Sequence, residues 1–91
     1  FRPLVMDFYV YILQSELDGS FYVGVSSDPE DRLAKHNRPH KGYTAGKRPW
    51  KIVYLEAYPT KKEALRRELE IKRQKSSVFI RGLISSPGSA G

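Results

Sequence analysis

Arg32 and His36 stand four residues apart, a spacing that sets a permanent cation and an imidazole on one face of a helix. Upstream, Tyr9-Val10-Tyr11 and Tyr22-Val23-Gly24 bring phenols from two short neighbouring segments, and far downstream Glu68 interrupts an apolar helical pattern. Breaking a phosphodiester bond requires a base or a metal to ready water, cations to steady the phosphoryl oxygens, and a proton for the leaving oxygen. Each part has a candidate. Glu68 offers a hard oxygen ligand for Mg²⁺ (or Mn²⁺), ions that accept one or two carboxylates and keep several waters. Arg32 forks onto phosphate oxygens. His36 relays a proton or holds the attacking water. Tyr11 and Tyr22 converge on the same site, where a phenol, ordinarily near pKa 10, needs a cation or metal beside it to act as a base.

Plainer readings compete. Glu68 also fits an inward ion pair, with Arg32 as its natural partner. Tyr9 fits the core of a sheet with its hydroxyl on a polar neighbour, and a lone His36 fits an ordinary helix surface.

These residues need a frame, and 91 residues with 40% hydrophobic content allow one domain with a small core. The chain has no cysteine, which excludes disulfides and thiolate metal sites and leads us to expect a cytoplasmic protein. It lacks an apolar run of membrane-spanning length, so no membrane partner is expected. The net charge of +6 favours a polyanion as partner.

Residues 1–6 read as a disordered leader, 7–85 as the domain and 86–91 as a flexible Ser-Pro-Gly tail. Asp7 to Gln14 is apolar on both faces and predicts a central strand, and Asp18-Gly19 turns it into a second strand over Phe21 to Val25. Gly24 inside that strand marks a bulge or clears space for something approaching the backbone. Asp28, Pro29, Glu30 and Asp31 cap and start a helix that runs to about Asn37. A basic, mobile loop follows to Pro49, and Lys51 to Tyr58 is a third strand. In that stretch Lys41, Tyr43, Lys47, Arg48 and Lys51 form the candidate DNA-binding patch, cations for phosphates and a phenol for stacking on a base. Thr60 with Glu63 forms a capping box for a second helix, whose apolar arc reads as Ala64, Leu65, Leu69 and Ile71 with Glu68 inside it. Lys75 to Ser85 contains a short third helix covering the sheet.

With these residues in view, the chain resembles the GIY-YIG nuclease superfamily from about Phe8 to Ile84, and among its members the stand-alone single-domain bacterial proteins related to the N-terminal nuclease domain of UvrC. Tyr9-Val10-Tyr11 corresponds to the first signature and Tyr22-Val23-Gly24 to the second. Arg32, His36 and Glu68 match the catalytic arginine, the helical histidine or tyrosine, and the metal-binding glutamate. The resemblance implies an α+β fold, a small three-stranded antiparallel sheet flanked by about three helices. It also implies Mg²⁺-dependent hydrolysis of DNA, with Tyr22, or else Tyr11, as general base, and with Tyr9 and Gly24 structural in the site. Two positions depart from the family pattern: Tyr9 replaces the first glycine, and no asparagine occurs from Leu69 to Gly91. The expected function is a divalent-metal-dependent endonuclease on DNA, with RNA also open as a substrate and with dimerisation or a protein partner supplying targeting. The alternative is a nucleic-acid-binding module on the same fold with little or no turnover.

Overall fold

Residues 6–85 are described by the computed structural model. The segment that is apolar on both faces, β1 (Phe8–Ser15), takes the middle of a three-stranded antiparallel sheet, between β2 (Phe21–Ser26) and β3 (Trp50–Tyr58). Its alternation divides the core in two. Val10 and Ile12 join Val23 and the helical residues Ala64 and Ile71 on one face, while Tyr11 and Leu13 join Trp50 on the other. Each such aliphatic side chain removed from water contributes about 1.5–3 kcal/mol. Three helices complete the α+β architecture: α1 (Pro29–Asn37), α2 (Lys61–Arg73) and α3 (Ser77–Ser85). Residues 1–5 of the expected leader at 1–6, and the expected tail at residues 86–91, lie outside the described residues.

α1 starts where expected: the Asp28 carboxylate accepts from the Asp31 N–H at 3.1 Å, and Pro29 takes the first helical position. At its other end the Asn37 side chain donates to the Trp50 carbonyl (3.0 Å) and accepts from the Trp50 N–H (2.6 Å), fastening the helix to the start of β3. The intervening basic loop, expected to be mobile, is pinned to the sheet. The Trp50 indole N–H donates to the Thr44 carbonyl at 2.9 Å, and the buried Ser15 hydroxyl donates to the Lys47 carbonyl at 2.6 Å. Two buried side chains thus satisfy loop carbonyls that a free loop would leave to water.

On α2, Thr60 accepts from the Glu63 N–H at 3.2 Å and donates its hydroxyl to the Glu63 carboxylate at 3.1 Å, closing the expected cap through side chains. The apolar arc differs from the expectation. Ala64 and Ile71 are buried, but Leu65 and Leu69 are 44% and 48% exposed. The inward stripe is Ala64, Arg67, Glu68 and Ile71, and the leucines lie one residue off it. Hydropathy misplaces them because Arg67 has a polar partner inside. Its guanidinium donates from Nε to Glu56 Oε1 (2.9 Å) and from Nη2 to Oε2 (3.2 Å), and the hydroxyls of Tyr54 and Tyr58 donate to the same carboxylate at 2.5 and 2.7 Å. Burial opposes the Glu56 charge, but Arg67 and the two hydroxyls overcome it and hold the carboxyl below the usual range. Burial, and then the hydrogen bond to Glu56, push the Tyr54 phenol up to about 12. α3 lays Phe79, Ile80 and Leu83 against the core on the α2 face.

Candidate active site

β1 and β2 set the two phenols side by side. In the sheet register Tyr11 lies opposite Gly24 and Leu13 opposite Tyr22, so Tyr11, Tyr22 and Gly24 share the face covered by α1. Gly24 marks no bulge, since the β1–β2 pairing is regular and the register shift falls between β1 and β3 at Ile12/Leu13. It clears space for Tyr11 instead. A β-carbon at position 24 would stand 2.5 Å from the Tyr11 Oη and 2.6 Å from its Cζ. The hydroxyl end of the Tyr11 ring therefore occupies the space a side chain at position 24 would need, and Tyr11 is 0% exposed. Tyr22 is half-buried, its ring centroid 6.2 Å from that of Tyr11 and 4.7 Å from that of His36. Tyr9, also half-buried, pairs with Ser26 and Ala57 in the sheet. It belongs to neither core cluster, and no described residue takes the hydrogen bond expected of its hydroxyl.

α1 brings Arg32 and His36 to this face. His36 Nε2 lies 3.3 Å from the Tyr11 Oη, and His36 Nδ1 lies 3.2 Å from the Thr44 hydroxyl. Both ring nitrogens thus have partners inside the protein. Burial, then the charges of Arg32 and His40, lower the His36 pKa from the ordinary imidazole value. Burial, and then the neighbouring Tyr22, raise the Tyr11 phenol, while Arg32 opposes this through a hydrogen bond and its charge and Glu68 adds to it. Of the five residues expected to act together, the other four therefore bear on the Tyr11 phenol.

Glu68 lies on the inward stripe of α2, its side chain 20% exposed, and its charge is the weakest of those that bear on the Tyr11 phenol. Its ion-pair partner is Lys72, at 3.1 Å one turn along the helix, and not Arg32. Arg32 is exposed and forms no ion pair among the described residues. No group of three or more acidic, histidine or cysteine side chains gathers for a metal among the described residues. A single mostly buried carboxylate nevertheless fits Mg²⁺, which fills its remaining positions with water and substrate phosphate oxygens.

A cleft of about 350 Å³ opens beside the site, lined by Arg32, Lys35, His36, His40, Lys41 and Thr44. Of the expected DNA-binding patch, Lys41 lines this cleft, Tyr43 is 61% exposed and Lys51 is exposed at the start of β3. Arg48 is exposed and donates from Nε to the Ala45 carbonyl at 2.9 Å. Lys47 is otherwise engaged. Its ammonium lies 2.6 Å from Asp18 and 5.2 Å from the Tyr43 ring centroid, and the hydrogen bond from Lys47 holds the Asp18 carboxyl well below the usual range. Sequence reasoning missed Thr44, His40 and Lys35 as lining residues. A threonine or histidine in a loop gives no periodic signal, and Lys35 shows its place only once α1 is set against the loop.

A family model described as the GIY-YIG catalytic domain matches residues 7–81. A UPF0213 protein of Staphylococcus saprophyticus is 48% identical over 76 residues, covering 79% of this chain and 92% of its own length. A UPF0213 protein of Staphylococcus aureus is 47% identical over 77 residues, covering 80% of this chain and 93% of its own length. Among solved structures, the solution NMR structure of the UPF0213 protein BH0048 from Bacillus halodurans is similar, with a TM-score of 0.55 and 33% identity over 90% of this chain and 89% of that one.

Proposed function

Because this chain belongs to the GIY-YIG catalytic domain family, we propose that it is a divalent-metal-dependent endonuclease that hydrolyses DNA. The observation that carries the reading is the convergence on Tyr11. His36 Nε2 lies 3.3 Å from its hydroxyl, Tyr22 packs beside it, and the charges of Arg32 and Glu68 both act on its phenol.

Burial divides the work between the tyrosines. Tyr11, 0% exposed, cannot meet a substrate directly and serves to orient Arg32 and His36. Tyr22 is half-buried over the His36 ring and is the phenol that, once ionised, takes a proton from the attacking water as its phenolate. Arg32, exposed at the cleft wall, forks onto oxygens of the scissile phosphate, and Lys41 holds a neighbouring phosphate. Glu68 would hold the Mg²⁺ or Mn²⁺ ion, exchanging its Lys72 partner for it. Such an ion supplies charge stabilisation to a phosphoryl oxygen and makes bound water a better nucleophile.

A second reading, a DNA-binding module without turnover, draws on the Glu68–Lys72 pair, which occupies the carboxylate the ion needs. End-labelled single-stranded, duplex, flap and four-way-junction DNA, with an RNA control, incubated with Mg²⁺, Mn²⁺ or EDTA, separates the two. Metal-dependent product supports the nuclease. Salt-dependent binding without product on any form supports the module.

A further inference from the structure

Four side chains beside the proposed site form a chain of hydrogen bonds whose direction elementary chemistry fixes. His40 Nδ1 lies 2.6 Å from the Arg38 carbonyl oxygen, which can only accept, so Nδ1 carries the hydrogen. In the neutral ring Nε2 is then a bare lone pair, and it lies 2.6 Å from the Thr44 hydroxyl. The hydroxyl has one hydrogen and gives it to His40, so the Thr44 oxygen must accept from His36 Nδ1 at 3.2 Å. His36, neutral as its lowered pKa favours, is left with an open lone pair on Nε2, and the Tyr11 hydroxyl donates into it at 3.3 Å. The hydrogen of Tyr11 thus points away from Arg32, whose guanidinium, a donor at every position, meets the remaining lone pairs of the phenol oxygen.

We propose that Thr44 and His40 are positioning residues which lock His36 in its Nδ1–H tautomer, so that Tyr11 presents only acceptor lone pairs to Arg32 and holds that guanidinium toward the cleft. The role rests on the nuclease reading of Arg32, and the lock itself does not. Thr44 is buried at the centre of the chain, its hydroxyl serving both imidazoles while its carbonyl accepts from the Trp50 indole. That carbonyl anchors the loop independently of the hydroxyl, so the side chain can be changed without releasing it.

A second proton on His40 reverses the order. Its Nε2–H then donates to Thr44, the Thr44 hydrogen turns to His36 Nδ1, and His36 carries its hydrogen on Nε2, facing Tyr11. The Tyr11 hydrogen loses its acceptor and competes with Arg32 for space at the phenol oxygen. The groups that bear on this exchange are Tyr11 from β1, Tyr22 from β2, Arg32 and Lys35 from α1, and Lys41 from the loop.

Long-range ¹H–¹⁵N NMR correlations of the two imidazoles test the lock in the wild type, Thr44→Val and Thr44→Ser, each also assayed for cleavage. The expected wild-type pattern is hydrogen on Nδ1 of His36. Thr44→Val mixes the tautomers and lowers kcat by about tenfold to a hundredfold, the scale seen when an imidazole's orienting partner is lost, whereas Thr44→Ser restores both readings. A His36 ring carrying its hydrogen on Nε2 in the wild type, or a Thr44→Val protein with unchanged tautomer and kcat, would overturn the proposal. The Nδ1–H pattern, lost in Thr44→Val, in a protein that cuts no DNA would uphold the lock and sink the nuclease reading alone.

Discussion

Replacing Gly24 with alanine puts a methyl group where the Tyr11 ring lies. The new carbon would sit 2.5, 2.6 and 2.9 Å from the Oη, Cζ and Cε1 atoms of Tyr11, against an ordinary contact of about 3.5 Å or more, so ring or strand must yield by about 1 Å. Tyr11 is 0% exposed and belongs to a packed cluster with Leu13, Trp50, Leu33 and Ile52, which a displaced ring would disturb. Overpacking of this kind costs about 1–3 kcal/mol. At about 2 kcal/mol, a domain of this size loses about 8–16 °C in Tm. Activity falls further than stability accounts for, because the hydroxyl that faces His36 and Arg32 is the part displaced. A shift of about 1 Å in such a group costs about a hundredfold in rate. Thermal unfolding and single-turnover cleavage, both measured well below the Tm of the variant, give the two numbers. A Gly24→Ala protein with wild-type Tm and wild-type rate would refute the packing argument and, with it, the importance of where Tyr11 lies.

Further outcomes follow from other parts of the structure. Glu56→Gln removes the charge that four donated hydrogen bonds converge on and leaves Arg67 uncompensated, so denaturant unfolding should record a loss of about 2–4 kcal/mol. Since the Glu56 pKa is held down in the folded state, its contribution is fully present above the unfolded glutamate value of about 4.3 and disappears as pH falls through the lowered one; wild-type and Glu56→Gln stabilities should therefore converge in acid, and a gap that persists there would count against this account. The acid limb of kcat/KM should lie below about pH 6.5, because His36 must stay neutral to accept from Tyr11 and its pKa is lowered; a limb at or above that value would contradict it. Leu69→Lys, on the exposed side of α2, should change stability by no more than about 0.5 kcal/mol, and a loss several times larger would show that this leucine is covered in solution.

The elements were legible in the sequence because each carries a local signal. The double apolar face of Phe8 to Gln14, the Asp-Gly turn, the Asp28-Pro29 start and the Thr60 cap depend on neighbours within a few residues, and all four appear where expected. The inward face of α2 was misread because leucine outranks arginine on any hydropathy scale, and the partner that draws Arg67 inward lies on β3, eleven residues away in sequence. Gly24 was legible as a cleared space, but only the register of β1 against β2 identifies Tyr11 as what fills it. The candidate site was legible as a set of residue types and illegible as a network. That Arg32 forms no ion pair among the described residues shows only in the fold, and that Lys47 pairs with Asp18 and Thr44 sits between two imidazoles follows from how the loop is pinned to Ser15 and Trp50.

Single-turnover cleavage by Glu68→Gln, with DNA binding measured on the same protein, tests the central claim most directly. Glutamine keeps the length and packing of the side chain and removes the charge a divalent ion requires. The account predicts metal-dependent cutting by the wild type, loss of product in Glu68→Gln and nearly unchanged affinity for DNA. A Glu68→Gln protein that cuts as fast as the wild type would contradict it.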